Sequence, residues 1–282
     1  MTASTSPTLP TIAVLGCGWL GLPLAQSLVA AGYPVAGSTT TPKQLLTLRD
    51  AGITPYLLRL GPDFSATDAD TLRVMLTGVE VLILNIPPSK AGPGGYPALL
   101  RPVGSALAAA GVKHVLFVSS TSVYPDEPRR MTEADALASA EAASDLLRAE
   151  GQFTSPHGQW QTTIVRLSGL IGPQRPPGRF LAGRQHVPNG DAPVNLIHLH
   201  DCIGLLTSII QQQAWGYTFN ASAAQHLVRR QFYPLAAQQL GLPAPAFQPD
   251  SAGGKIIDST LIRQVLGYEF QHDDLLEALA YC

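Results

Sequence analysis

Short apolar runs alternate with stretches of helical spacing over residues 11–167. The runs at 11–16, 34–38, 54–58, 80–86, 113–119 and 161–167 are rich in β-branched and aliphatic side chains, and their length suits strands covered on both faces. Between them apolar positions such as Leu20, Leu24 and Leu28 recur at helical spacing, which predicts helices near 19–31, 42–51, 68–77, 96–110 and 133–150. Strand and helix in alternation give an α/β fold, a doubly wound parallel sheet with right-handed crossovers and helices on both faces. Beyond residue 171 the pattern changes to short strands with helices near 225–240, 259–266 and 272–281. The expected organisation is a loose tail over 1–10, a sheet domain over 11–171 that 193–213 rejoins, and a small C-terminal α/β substrate lobe made of 172–192 and 214–282.

Composition narrows this. A chain of 282 residues with 45% apolar content can bury a large core. Its net charge of −2 argues against a general nucleic-acid binder. Cys17, Cys202 and Cys282 show no regular framework, which points to a reducing, cytoplasmic setting. No charged residue precedes Lys43, so residues 11–31 compete as a signal or membrane span. The lack of a basic leader, with three glycines, Pro23, Gln26 and Ser27 in the run, favours soluble core and no membrane partner.

The candidate chemistry starts at the first strand. Gly16, Gly18 and Gly21 follow it at GxGxxG spacing and open a helix. In that setting Gly16 allows a tight turn, Gly18 lets main-chain amides approach a diphosphate, and Gly21 lets the helix pack on the strand. Gly16, Gly18, Trp19, Leu20 and Gly21 are therefore the expected dinucleotide loop, with Cys17 as a small filler inside it. An acidic residue about 20 positions later would mark NAD. Ser38, Thr39, Thr40 and Lys43 stand there instead, with Thr40 or Thr41 able to cap a helix that has Pro42 at its first position. A 2′-phosphate suits that surround, so the cofactor expected is NADP, with NAD the open alternative. Ile86 and Pro87 end the fourth strand before the Gly/Pro-rich run 91–95, placed to cover the nicotinamide side; Ser119 and Ser120 end the fifth in a hydroxyl cluster that runs to Tyr124.

The chain resembles the extended, sugar-nucleotide epimerase/dehydratase branch of the short-chain dehydrogenase/reductase superfamily. The resemblance rests on Gly16-Cys-Gly-Trp-Leu-Gly21, Ser119-Ser-Thr-Ser-Val-Tyr124, Arg166-Leu-Ser-Gly-Leu-Ile-Gly-Pro173, Asn195-Leu-Ile-His-Leu-His-Asp201 and the run from Lys255 to Gly267. It implies a Rossmann-type domain, Ser120 as the hydroxyl that polarises the substrate, and Asn195 approaching it. It also places the loop bearing Arg175, Arg179 and Arg184 over the substrate, and guanidinium groups there would select an anionic, nucleotide-linked or acidic small molecule. One departure matters. Redox-active relatives use Tyr-x-x-x-Lys, yet none of the eight tyrosines here has a lysine four residues on. Tyr124, Glu133 and His157 are the available substitute acids, with packing, a helix-end charge and simple exposure as their respective alternatives.

His198-x-His200-Asp201 invites a metal, but alternation on a strand explains the pair and no third ligand follows from the spacing, so no metal is expected. Two functions remain open. One is an NAD(P)-dependent oxidoreductase or epimerase acting on a small anionic substrate. The other is a catalytically silent NADP-binding regulator or redox sensor that works through a protein partner. Helices flanking such a sheet often pair two copies, which leaves a homodimer as a further expectation.

Overall fold

The computed structural model describes residues 9–88, 94–154, 160–249 and 252–282. His157 and Ser89, with most of the run 91–95, lie outside these residues. The strands are β1 (Ile12–Leu15), β2 (Val35–Thr39), β3 (Thr54–Leu57), β4 (Val81–Leu84), β5 (His114–Ser120), β6 (Arg130–Met131), β7 (Gln161–Leu167), β8 (Gly169–Ile171), β9 (Leu196–His198), β10 (Thr218–Ala221) and β11 (Ile256–Ile257). The helices are α1 (Gly21–Ala30), α2 (Gln44–Asp50), α3 (Ala66–Met75), α4 (Gly95–Ala110), α5 (Asp145–Phe153), α6 (Gly178–Leu181), α7 (Leu199–Gln211), α8 (Arg229–Gln239), α9 (Thr260–Leu266) and α10 (Leu275–Ala278).

Seven strands make one parallel sheet in the order β10-β7-β5-β4-β1-β2-β3. Helices flank it, as the alternating pattern requires. Every residue of β1 and β4 is buried, which is why both read as unbroken aliphatic runs. The chain leaves β1 towards β2 and β3, then crosses back to β4 on the other side of β1. The order therefore reverses at the C-terminal ends of β1 and β4, the place where open α/β sheets hold ligands.

Contact density divides the chain into two compact units. One comprises 1–119, 138–164 and 215–217; the other comprises 120–137, 165–214 and 218–282. The first is built on β1 to β4 and the greater part of β5. The second has its own apolar centre, where Ile171, Val194, Leu196, Phe232 and Leu275 pack together.

The helix expected over 133–150 is interrupted. Glu133–Asp135 is one 3-10 turn, and α5 starts only at Asp145, capped by Ser144. Side chains have taken the carbonyls that a continuous helix would need. Arg166 donates to the oxygens of Glu133 (3.3 Å) and Ala136 (2.9 Å), and Arg148 donates to those of Ala142 (2.7 Å) and Ala143 (3.0 Å). An oxygen held by a guanidinium is poorly placed for the amide four residues on.

Candidate functional site

In the first unit the glycine loop is held by Ser38 and Asn85. Gly16 has φ +103°, and a Cβ there would lie 2.4 Å from the carbonyl oxygen of Asn85. Only glycine fits such a position. Ser38 Oγ accepts from the Gly16 amide at 2.9 Å, and Asn85 Nδ2 donates to the Gly16 carbonyl at 2.9 Å. Gly21 is needed for close approach, since a Cβ would stand 2.1 Å from Gly16 O. Gly18 differs, because a Cβ there would meet nothing within 4 Å. Cys17 fills a hole opened by Gly37, whose absent Cβ would lie 2.7 Å from its sulfur. Burial pushes the Cys17 thiol up to about 12, so it is inert packing.

Ser38 and Thr39 are buried and their hydroxyls are engaged. Thr39 Oγ1 accepts from the Thr41 amide and donates to Gln44 Oε1 at 2.6 Å. The expected cap by Thr40 or Thr41 does not form, because α2 begins at Gln44 and no side chain caps it. Thr40 and Lys43 remain exposed beside it, Trp19 and Ile86 are half-buried, Leu20 is buried and Pro87 is exposed. Tyr96 donates its hydroxyl to Ile86 O, which fixes the chain leaving β4. Asn85 and Tyr96 carry no local sequence signal for these roles, which depend on partners 69 and 10 positions away.

At the end of β5, Ser119 is buried and its hydroxyl donates to Glu150 Oε1, a carboxylate with no exposed surface on α5. In the second unit Ser120 accepts from the Ser122 amide at 3.1 Å and so caps the 3-10 turn Thr121–Val123. Its own O–H hydrogen is still there to donate.

Tyr124 has two readings, substitute acid and packing residue, and the structure places it in the interior. It is 3% exposed, donates to Asn220 Oδ1 at 2.7 Å and accepts from Arg166 Nη1 at 2.8 Å. Burial raises its phenol above the usual range, against the opposing effect of Arg166. A phenol locked on both sides, with its proton on a buried amide, is a packing and network residue. Two neighbouring groups have shifted titration. Burial raises Glu133, whose carboxylate accepts from the Asn220 amide at 2.8 Å, and burial lowers Lys255, whose Nζ donates to Tyr124 O at 2.8 Å. Tyr124→Phe is expected to cost about 1–3 kcal/mol of stability, because it leaves Asn220 Oδ1 and one Arg166 donor without their partner inside the core. Chemical denaturation reads this directly, and an unchanged midpoint would remove the structural assignment.

Arg175, Arg179 and Arg184 are all exposed, with Arg179 on α6. Asn195, which the resemblance places at the substrate, makes two hydrogen bonds to main chain. Its Nδ2 donates to Lys255 O at 2.9 Å and its Oδ1 accepts from the Ile257 amide at 2.9 Å, so the amide acts as a rung that holds β11. A pocket of about 230 Å³ in the same unit is lined by Arg130, Ser222, His226, Asp258, Thr260 and Arg263 among others. Asp273 takes Arg263 in a two-point ion pair at 2.6 and 3.0 Å.

His198 and His200 do not alternate along one strand. His198 ends β9 and caps α7, accepting the His200 amide on Nδ1 at 3.2 Å, while His200 lies in the first turn of the helix. A third ring joins them from far along the chain, with His200 Nδ1 and His272 Nε2 3.2 Å apart. Burial lowers His198 to about 4 and lowers His272, which favours neutral rings.

No protein-family profile matches the chain. It is 38% identical over 270 residues to protein YeeZ of Escherichia coli K12, covering 94% of this chain and 97% of the relative. Among solved structures, MoeE5 in complex with UDP-glucose and NAD is 19% identical with TM-score 0.71, over 96% of each chain. A short-chain dehydrogenase/reductase superfamily protein from Agrobacterium tumefaciens with bound NAD is 20% identical with TM-score 0.70, again over 96% of each. Among the described residues no helix is long and apolar enough to cross a membrane. The chain thus shares the Rossmann-like α/β fold of these structures, and it belongs to the family of Escherichia coli YeeZ.

Proposed function

We propose that this chain binds a nicotinamide dinucleotide on the Gly16–Gly21 loop and acts as an oxidoreductase or epimerase on a small anionic substrate, nucleotide-linked in the most specific form of the reading. The observation that carries it is the contrast within one loop. Gly16 and Gly21 are glycines because backbone crowds them, whereas a side chain on Gly18 would project into open space. Packing gives no reason for glycine at 18; a diphosphate lying against its main chain does. The start of α1 supports this, since the helix runs ten residues and no side chain caps it. UDP-glucose and NAD in MoeE5 supply the model for the substrate class.

In this reading the bound nicotinamide supplies the hydride-exchanging ring. The chain's own residues do the rest. Ser38 and Asn85 hold the loop, Ser120 offers its hydroxyl proton to a substrate oxygen, and Arg175, Arg179 and Arg184 attract the substrate's negative charge. NADP is preferred over NAD because exposed Thr40 and Lys43, rather than an acidic residue, follow β2.

A second reading, a silent NADP-binding sensor working through a protein partner, is favoured by the engagement of Tyr124 on both sides and by the missing Tyr-x-x-x-Lys pair. Calorimetry with NAD(H) and NADP(H), followed by turnover assays on sugar-nucleotide and carbonyl panels, tests both. Tighter NADP(H) binding with cofactor-dependent turnover is the expected result. Equal affinities would remove the NADP preference, binding without turnover would select the sensor, and no heat with any coenzyme would remove the dinucleotide reading altogether.

A further inference from the structure

The histidine cluster of the second unit is built by tertiary contacts around Asp201. That carboxylate has no exposed surface and accepts three hydrogen bonds, from the Gln271 amide (2.7 Å), the His272 amide (3.0 Å) and the Tyr268 hydroxyl (3.2 Å). It thereby pins the main chain at 271–272 against the first turn of α7. The His272 ring is brought to 3.9 Å from that of His198 and 5.3 Å from that of His200, centroid to centroid. One ring nitrogen from each of the three lies within 4.8 Å of the others. His198 has no exposed surface and His272 is 8% exposed, while His200 opens the cluster to solvent.

We infer that His198, His200 and His272 form a binding site for a divalent late-transition cation such as Zn²⁺, and that the ion ties the C-terminal segment to the start of α7. Three features of the geometry carry this. Two imidazole nitrogens on a tetrahedral zinc stand about 3.3 Å apart, and His200 Nδ1 and His272 Nε2 are already at 3.2 Å. His198 is oriented from outside, because Nδ1 accepts an amide and Nε2 therefore bears the proton that it gives to Tyr281 O at 3.1 Å. A ring N–H held by a carbonyl is the usual outer partner of a ligating imidazole. Nδ1 would then exchange a long amide contact for the ion. No gap among the three nitrogens exceeds the spacing on zinc by more than about 1.5 Å. An all-imidazole set selects zinc, copper, nickel or cobalt over calcium or magnesium. Three protein ligands also leave coordination positions for water or an anion.

The test uses the full chain, free of any affinity tag and stripped with chelator. Titration with ZnCl₂ is expected to show one equivalent bound and a higher melting temperature, and Co²⁺ is expected to give the visible absorption of a nitrogen-ligated ion. Magnesium should do neither. His200→Ala is the cleanest variant, because its side chain is exposed; with its melting temperature in chelator unchanged, it should bind Zn²⁺ at least tenfold more weakly. His272→Gln should weaken binding similarly. No binding by the parent chain, or equal binding by both variants, overturns the assignment. Coenzyme titration is independent of these rings, so the outcome here does not depend on the proposed nucleotide function.

Discussion

Gly18→Val is expected to weaken coenzyme binding on the order of 100-fold, roughly 2.7 kcal/mol, while leaving the melting temperature where it was. The two halves of that expectation have separate origins. Stability is spared because, beyond its own chain neighbours, no protein atom lies within 4 Å of the new Cβ. Binding is lost because the same volume is where a diphosphate would meet the main chain. Gly21→Ala is the matched control. Its Cβ would sit 2.1 Å from Gly16 O, which is backbone that cannot swing aside, so overpacking of about 1–3 kcal/mol should appear as lost stability. Calorimetry and thermal melts on both variants separate the effects. Gly18→Val with parental affinity would show that this volume is not the coenzyme's.

Arg166→Ala is expected to be the most damaging single change to stability, about 3–5 kcal/mol, or on the order of 10 °C in melting temperature. Arg166 is 1% exposed and the largest of the fully buried side chains. Its guanidinium donates to Tyr124 Oη, Glu133 O and Ala136 O, with Cζ 5.3 Å from the centre of the Tyr124 ring. Truncation strands those acceptors, opens a cavity and removes the cation facing the half-buried Glu133 carboxylate. Arg166→Lys should recover only part of the loss, since an ammonium cannot reproduce a planar fork that reaches several oxygens. A drop of under about 2 °C for the alanine variant would mean that this network does not hold the second unit together.

The balance of what could be read in advance follows the range of each interaction. The alternation of aliphatic runs with helical spacing is local, and six of the seven strands of the parallel sheet answer to it, while β10 comes from the stretch assigned to the small lobe. The Gly16 turn is equally local, since positive φ depends on one residue having no Cβ. The alanine-rich stretch after Glu133 misled for the opposite reason. Its residues have good helix propensity, yet Arg166, some 30 positions along the chain, captures the carbonyl of Ala136 and stops the helix. The resemblance places Asn195 at the substrate, and its amide bridges to the main chain of Lys255 and Ile257, some 60 residues away.

By itself, then, the sequence determined six of the sheet's strands, the glycine loop and the absence of a Tyr-x-x-x-Lys pair, because each is written in residues within a few positions of one another. Only the tertiary structure decided that Tyr124 is sealed between Asn220 and Arg166, and that Asp201 delivers His272 to the other two histidines. Those decisions belong to hydrogen bonds that join residues 42 to 96 positions apart, and pairing at that range is fixed by packing rather than by any pattern along the chain.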